Sequence, residues 1–263
     1  MRRRLLGSVK GHFMPNSQIW YTTTDGEIAE IIEATGYGAN IVSNTYIDGR
    51  GIVQFDGDIT RTSYYMFRDA TNLETVILPN SILTMDPGSF MGCTSLRTVK
   101  LPNRISRLTD EQFYGCTALE KLEIPKSVTV IGGWVFGGGC TGEVTLYCDL
   151  PSVEDATKSR FVNSNLSKII FGSGVTLIGD YALSGLNIQE VEFPETLQSL
   201  GEYTLSECRS LKSITVKANE APAVTNTTFR YIGENGVLKH PTGSDYSTWM
   251  DKLTSYGWGE EKF

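Results

Sequence analysis

The segment "LETVILPNSILTMDPGSFMGCTS" at residues 73–95 returns 23 residues later as "LRTVKLPNRISRLTDEQFYGCTA", and 23 later again as "LEKLEIPKSVTVIGGWVFGGGCT". A period of this length constrains the chain more than any other feature, because one unit is too small to bury a core of its own and must stack on its copies. Seven positions hold register: Leu73, Leu96 and Leu119; Val76, Val99 and Leu122; Leu78, Leu101 and Ile124; Pro79, Pro102 and Pro125; Ile82, Ile105 and Val128; Met85, Leu108 and Ile131; Phe90, Phe113 and Phe136. The last two apolar residues of L-x-x-V-x-L alternate, as on a strand with one buried face. The proline that follows cannot donate to a sheet ladder and ends the strand. The I-x-x-M spacing suits either a helical turn or a second short inward segment.

The phase extends on both sides. Upstream, Val53, Phe55, Ile59 and Phe67 fall in the matching places. Downstream, an irregular unit at 141–165 leads to Phe161, and the phase returns at Leu166, Ile169 and Phe171, at Val191 and Phe193, and at Leu211, Ile214 and Val216. The expected architecture is an α/β repeat solenoid. It is a right-handed, leucine-rich-repeat-like coil with a parallel β-sheet on one face, short helical or irregular segments on the other, and caps at both ends. About eight units occupy residues 50–217, between an N-terminal β-rich cap at 1–49 and a C-terminal cap with a short helix at 218–263. Asp25-Gly26 is read as a hairpin turn. Tyr246, Trp249, Met250 and Leu253 share one helical face, with Ser244 as its N-cap.

The pattern C-x-x-L-x-x-V-x-L-P-x-x-I-x-x-I/L…F resembles the BspA-type leucine-rich repeat of surface proteins from gut and oral anaerobes and treponemes. "VLKHPTGSDYSTWM" is similar to the closing element of such proteins. The resemblance covers residues 50–217 and implies a curved parallel-sheet solenoid and an adhesive role toward host matrix proteins or other bacteria. The common repeat's asparagine position is Ser81, Arg104 and Ser127, so no asparagine ladder is expected.

Chemistry is sparse. His12 and His240 are the only histidines, and no P-loop, HExxH, GxGxxG or GxSxG pattern occurs. Cys93, Cys116 and Cys140 recur at the repeat period rather than at a metal-ligand spacing, and with Cys148 and Cys208 they are expected as buried free thiols. No catalytic residue, metal or cofactor is expected. A net charge of −7 opposes a nucleic-acid partner, and Arg2-Arg3-Arg4 is the only basic cluster. "MRRRLLGSVKGHF" has too short an apolar part for a secretion signal, although the resemblance suggests the cell surface; no membrane span is expected.

The third and fifth residues of each strand motif should face solvent. The third is Thr75, Thr98, Lys121, Glu143, Lys168, Glu190 and Ser213; the fifth is Ile77, Lys100, Glu123, Thr145, Ile170, Glu192 and Thr215. Lys121, Glu143, Lys168 and Glu190 alternate in sign, and Lys100 should lie beside Glu123, which favours lateral pairing that maintains register. These positions are the candidate partner-facing surface of a non-enzymatic scaffold for a protein or glycan. A structural assembly component, surface- or phage-associated, is the alternative, and an enzyme with a site in a cap or in the insert near 149–163 a third.

Overall fold

The computed structural model describes residues 14–32, 35–154 and 159–263. The arginine cluster, His12 and residues 155–158 of the irregular unit lie outside the described residues. The chain opens with three antiparallel strands, β1 (Gln18–Thr23), β2 (Ile41–Ile47) and β3 (Arg50–Phe55). β1 and β3 each bury every second residue, as strands over a core must. The tight turn lies between β2 and β3, at Asp48 and Gly49, with φ of 52° and 79°. Two successive positive φ values are what a two-residue hairpin of matching twist requires, and Asp-Gly supplies them. The expected hairpin at Asp25-Gly26 does not form. β1 pairs instead with β3 and with a strand some fifty residues on. Asp25 accepts hydrogen bonds from the Glu27 amide at 3.0 Å and the Asn72 side chain at 3.1 Å. Strand-like alternation flanks Asp48-Gly49 on both sides, whereas Ile28 and Ile32 after Gly26 are exposed.

The repeats then supply β4 (Leu73–Ile77), β5 (Thr98–Lys100), β6 (Arg107–Leu108), β7 (Lys121–Glu123), β8 (Val130–Ile131), β9 (Thr141–Leu146) and β10 (Asn165–Phe171). They continue with β11 (Leu177–Ile178), β12 (Glu190–Phe193), β13 (Ser199–Leu200), β14 (Ser213–Val216) and β15 (Val237–His240). Helix α1 (Ser247–Leu253) and β16 (Gly259–Lys262) close the described chain. The result is a β-solenoid of about eight turns with a parallel sheet and little helix. One sheet runs β2-β3-β1-β4-β5 and a second, all parallel, runs β7-β9-β10-β12-β14-β15-β16, so parallel pairing continues beyond residue 217. Equivalent positions pair with each other: Val76 with Val99, Leu122 with Val144, Val191 with Ile214, and Ile214 with Leu238. The I-x-x-M segment forms short strands rather than helical turns, β6 with β8 and β11 with β13. Of the two expected alternatives for the face opposite the sheet, the short inward segment is the one formed, as these strands and tight turns.

The repeated letters form the core. Phe67, Phe90, Phe113, Phe136 and Phe161 stack in one column with centroid separations of 6.1, 5.6, 6.1 and 5.4 Å. Phe161 keeps its place in the column despite the irregular unit before it. Tyr21 of β1 meets the column's first ring edge-on at 5.9 Å. All five cysteines are buried free thiols. Cys93, Cys116 and Cys208 each donate to the carbonyl of the ring-column position one coil earlier, Phe67, Phe90 and Leu183, at 2.9, 3.2 and 3.2 Å.

At the other end Tyr246, Trp249 and Leu253 are buried and Met250 packs against the core, as the helical spacing predicts. The cap differs: α1 starts at Ser247, its N-cap position is Tyr246 rather than Ser244 and carries no side-chain capping bond, and Asp245 accepts the Ser247 amide at 2.9 Å. A carboxylate two residues ahead of an orphan amide reaches it directly.

Candidate functional site

The outward strand positions fall on two sheets, β4 and β5 on the first and β7 to β14 on the second. Thr98, Lys100, Lys121, Glu123 and Glu190 are exposed; Thr75, Ile77, Glu143, Lys168, Ile170 and Glu192 are half-buried, as are Ser213 and Thr215. Thr145 departs from expectation and is buried. Its short side chain lies between the longer Glu123 and Ile170 of the flanking strands, which cover it.

The charge ladder forms in part on the second sheet, with no ion pair between Glu143 and Lys168 among the described residues. Lys121 Nζ lies 3.4 Å from Glu143 and 3.6 Å from Glu123. Lys168 Nζ lies 3.3 Å from Glu192 and 3.6 Å from Glu190, and Lys217 adds a further bond to Glu192. Burial would push the Glu192 carboxyl up, but its hydrogen bond to Lys217 and the two ammonium charges outweigh that and hold it below the usual range. Burial likewise works against the charge on Lys168, and Glu192 outweighs it, so the ammonium is favoured.

The expected Lys100–Glu123 pair is not formed, because the sheet divides between their strands. Elsewhere the residue after a strand donates to the neighbouring coil: Leu78 to Lys100 at 3.1 Å, and Ile124 to Thr145 at 3.1 Å. Leu101 has no such bond among the described residues. The junction stays closed at its other end, where the Glu120 amide donates to Arg97 at 3.0 Å. Between lies a groove of about 560 Å³. Val99, Leu101 and Ile124 line its base, and Lys100, Lys121 and Lys126 stand around it with Glu123 and Tyr147. The Lys126 ammonium sits 5.1 Å from the Tyr147 ring centroid.

Asn103, Lys126 and Tyr147 fall outside the third and fifth positions and were not expected at a site. A signal existed: the residue after the strand-ending proline is Asn80, Asn103 and then Lys126, a change of charge in an otherwise repeated place.

The remaining chemistry is structural. The His240 Nε2 lies 2.6 Å from Glu260, and the ring stacks on Tyr246 at 4.3 Å, out of contact with solvent. Among the described residues no three His, Cys, Asp or Glu side chains converge to hold a metal. No helix there is long and apolar enough to cross a membrane. On the turn side, Tyr65, Trp134, Tyr181 and Tyr203 sit two residues before the ring-column position with positive φ. Tyr65 overlies Gly88 of the next coil and Tyr181 stacks on Tyr203 at 4.8 Å, so these three tyrosines serve coil-to-coil packing.

The sequence pattern described as the BspA type leucine rich repeat region matches in six copies over residues 51–143 and 154–239, most of the chain. Similar solved structures are bacterial. A leucine-rich repeat protein from T. pallidum is 20% identical, with 80% of this chain and 84% of that one covered and a TM-score of 0.45. A leucine-rich repeat protein from Bacteroides ovatus is 16% identical over 81% and 70%, with a TM-score of 0.38. The pneumococcal vaccine antigen PcpA is 18% identical over 72% and 67%, with a TM-score of 0.28. No curated protein matches the chain.

Proposed function

Because the chain belongs to the BspA-type leucine-rich repeat family, we propose that it is a non-enzymatic binding or adhesion scaffold that meets a protein or glycan partner through its outward strand face. One observation carries this reading. The repeated letters are consumed by packing, while the letters that differ from copy to copy stand side by side on the outward face of paired strands. Recognition draws on exposed side chains held in fixed relation by a scaffold. In the same reading the coil is right-handed, and residues 1–49 and 218–263 cap the repeats at 50–217, covering core that an open end would expose. The scaffold has no catalytic role in this reading, in keeping with the packing function of His240 and the thiols.

Assembly into larger arrays is the weaker reading. The edge strand β16 carries Glu260, Glu261 and Lys262, and charges at an open edge oppose pairing with another chain. The test is saturable binding of the purified chain to immobilised matrix proteins, glycans and whole cells, alongside light scattering. Thr98→Lys with Glu190→Lys is expected to leave the fold intact and weaken binding. The reading fails if nothing in the panel binds saturably, or if these changes leave binding untouched. A stable oligomer formed without ligand would favour assembly instead.

A further inference from the structure

The divided sheet has a consequence for ligand chemistry that rests on the binding-scaffold reading and narrows it. We propose that the groove between β5 and β7 is a binding site for a terminal acidic sugar residue, a uronate or sialate at the end of a glycan chain. The volume of about 560 Å³ falls within the range of small-ligand pockets. The chain carries a net charge of −7, yet three lysines face this groove against the single carboxylate of Glu123. Lys121 is committed to Glu123 and Glu143. Lys100 and Lys126 make no ion pair among the described residues, so two ammonium groups are left for an incoming carboxylate.

The shape selects a compact chain end over an extended peptide. β5 and β7 are each three residues long, and the Glu120–Arg97 bond closes the gap at one end. A peptide adding as a strand needs a longer open edge. Within the groove the Leu101 amide is an unmatched donor beside the apolar surfaces of Val99, Leu101 and Ile124. A pyranose carboxylate fits this mixture. The carboxylate meets Lys100 and Lys126, a hydroxyl or ring oxygen accepts from Leu101, and the C–H face of the ring covers the apolar base.

The test is calorimetric titration of the full chain with a glucuronate-terminated trisaccharide, sialyllactose, the neutral glucose-terminated counterpart and a glutamate-rich peptide. The acidic saccharides are expected to bind saturably, more weakly as salt rises, and the neutral one not to bind. Lys100→Gln and Lys126→Gln should each weaken binding about tenfold, the loss of one charge-assisted bond, while Lys239→Gln should not. Both groove lysines are surface residues, and an unchanged thermal midpoint verifies folding. The proposal is overturned if acidic saccharides do not bind, if neutral ones bind equally, if the peptide is preferred, or if binding survives both substitutions. Should the saccharides fail while a matrix protein still binds saturably, the groove assignment falls alone and the scaffold reading stands.

Discussion

At the scale of single residues, the ring column concentrates the consequences of substitution. Phe113 is fully buried and lies nearly parallel to Phe90 and Phe136, 5.6 and 6.1 Å away. Replacing it with alanine leaves a cavity between two coils and is expected to cost about 3–5 kcal/mol, measurable by chemical denaturation. Phe113→Leu should cost less, because Leu183 and Leu205 occupy the same position later in the chain, fully buried. The thiols make a second prediction. Burial pushes Cys93, Cys140 and Cys208 up to about 12, and Cys148 to about 11. An unfolded thiol ionises near pH 8.5. Between these limits the unfolded chain has lost protons that the folded chain retains, so stability falls as pH rises, by up to about 1.4 kcal/mol per pH unit for each thiol. Thermal midpoints should be level between neutral pH and about pH 8 and decline above it, and Cys208→Ala should flatten the decline. At neutral pH the native thiols should resist alkylation until the protein is denatured. A native protein that labels rapidly would contradict the buried donor role of Cys93, Cys116 and Cys208.

Among the elements, strands were more legible than their interruptions. Equivalent residues of successive copies are paired in the sheet, so the phase of L-x-x-V-x-L in the sequence is also the register of the ladder. The division between β5 and β7 has no such signature, because residues 96–101 and 119–124 carry the same apolar letters as pairs that do join. The hairpin is ambiguous in the sequence for a related reason. Three Asp-Gly dipeptides occur, at 25–26, 48–49 and 56–57, and only long-range pairing of β1 with β3 and β4 determines which one closes a turn. The charge ladder depends on alternation and neighbour identity alone, and both are visible in the letters. Lys168→Glu would place a third carboxylate between Glu190 and Glu192 and should cost about 1 kcal/mol, less as salt is added. Acid should act on the same contacts. The Glu192 carboxyl is held below its ordinary range, so its contribution is present above that range and is lost as pH falls through the lowered folded value. A calorimetric series from neutral to acid pH, run on the parent and on Lys168→Glu, should show a smaller acid loss in the variant.

Across the whole molecule, the outward face could be read from the repeat because a strand's geometry assigns alternate residues to solvent. The groove could be read only in part: Lys126 shows as a change of charge in a repeated place, but the pairing that fails to form leaves no mark in the letters. The same one-dimensional build determines how damage spreads. Each coil touches chiefly the coils beside it, so stability is a chain of neighbour contacts. Trp249 gathers the last of these. It is fully buried, its indole donates to Pro222 at 2.8 Å, and its ring lies 5.1 Å from Phe229 and 5.7 Å from Tyr246. Tyr246 in turn donates to Ala218 at 2.9 Å and stacks on His240 of β15. Trp249→Ala should unseat α1 and release β15 and β16, while the coils around Phe90 and Phe113 keep their neighbours. Hydrogen exchange would register this as lost amide protection in β14 to β16, with β4 and β5 protected as before. Phe113→Ala, in the middle of the column, should instead reduce protection on both sides of the substitution. Uniform loss of protection in both variants would mean that the solenoid opens only as a single unit, and that nearest-neighbour contacts do not govern its stability at this length.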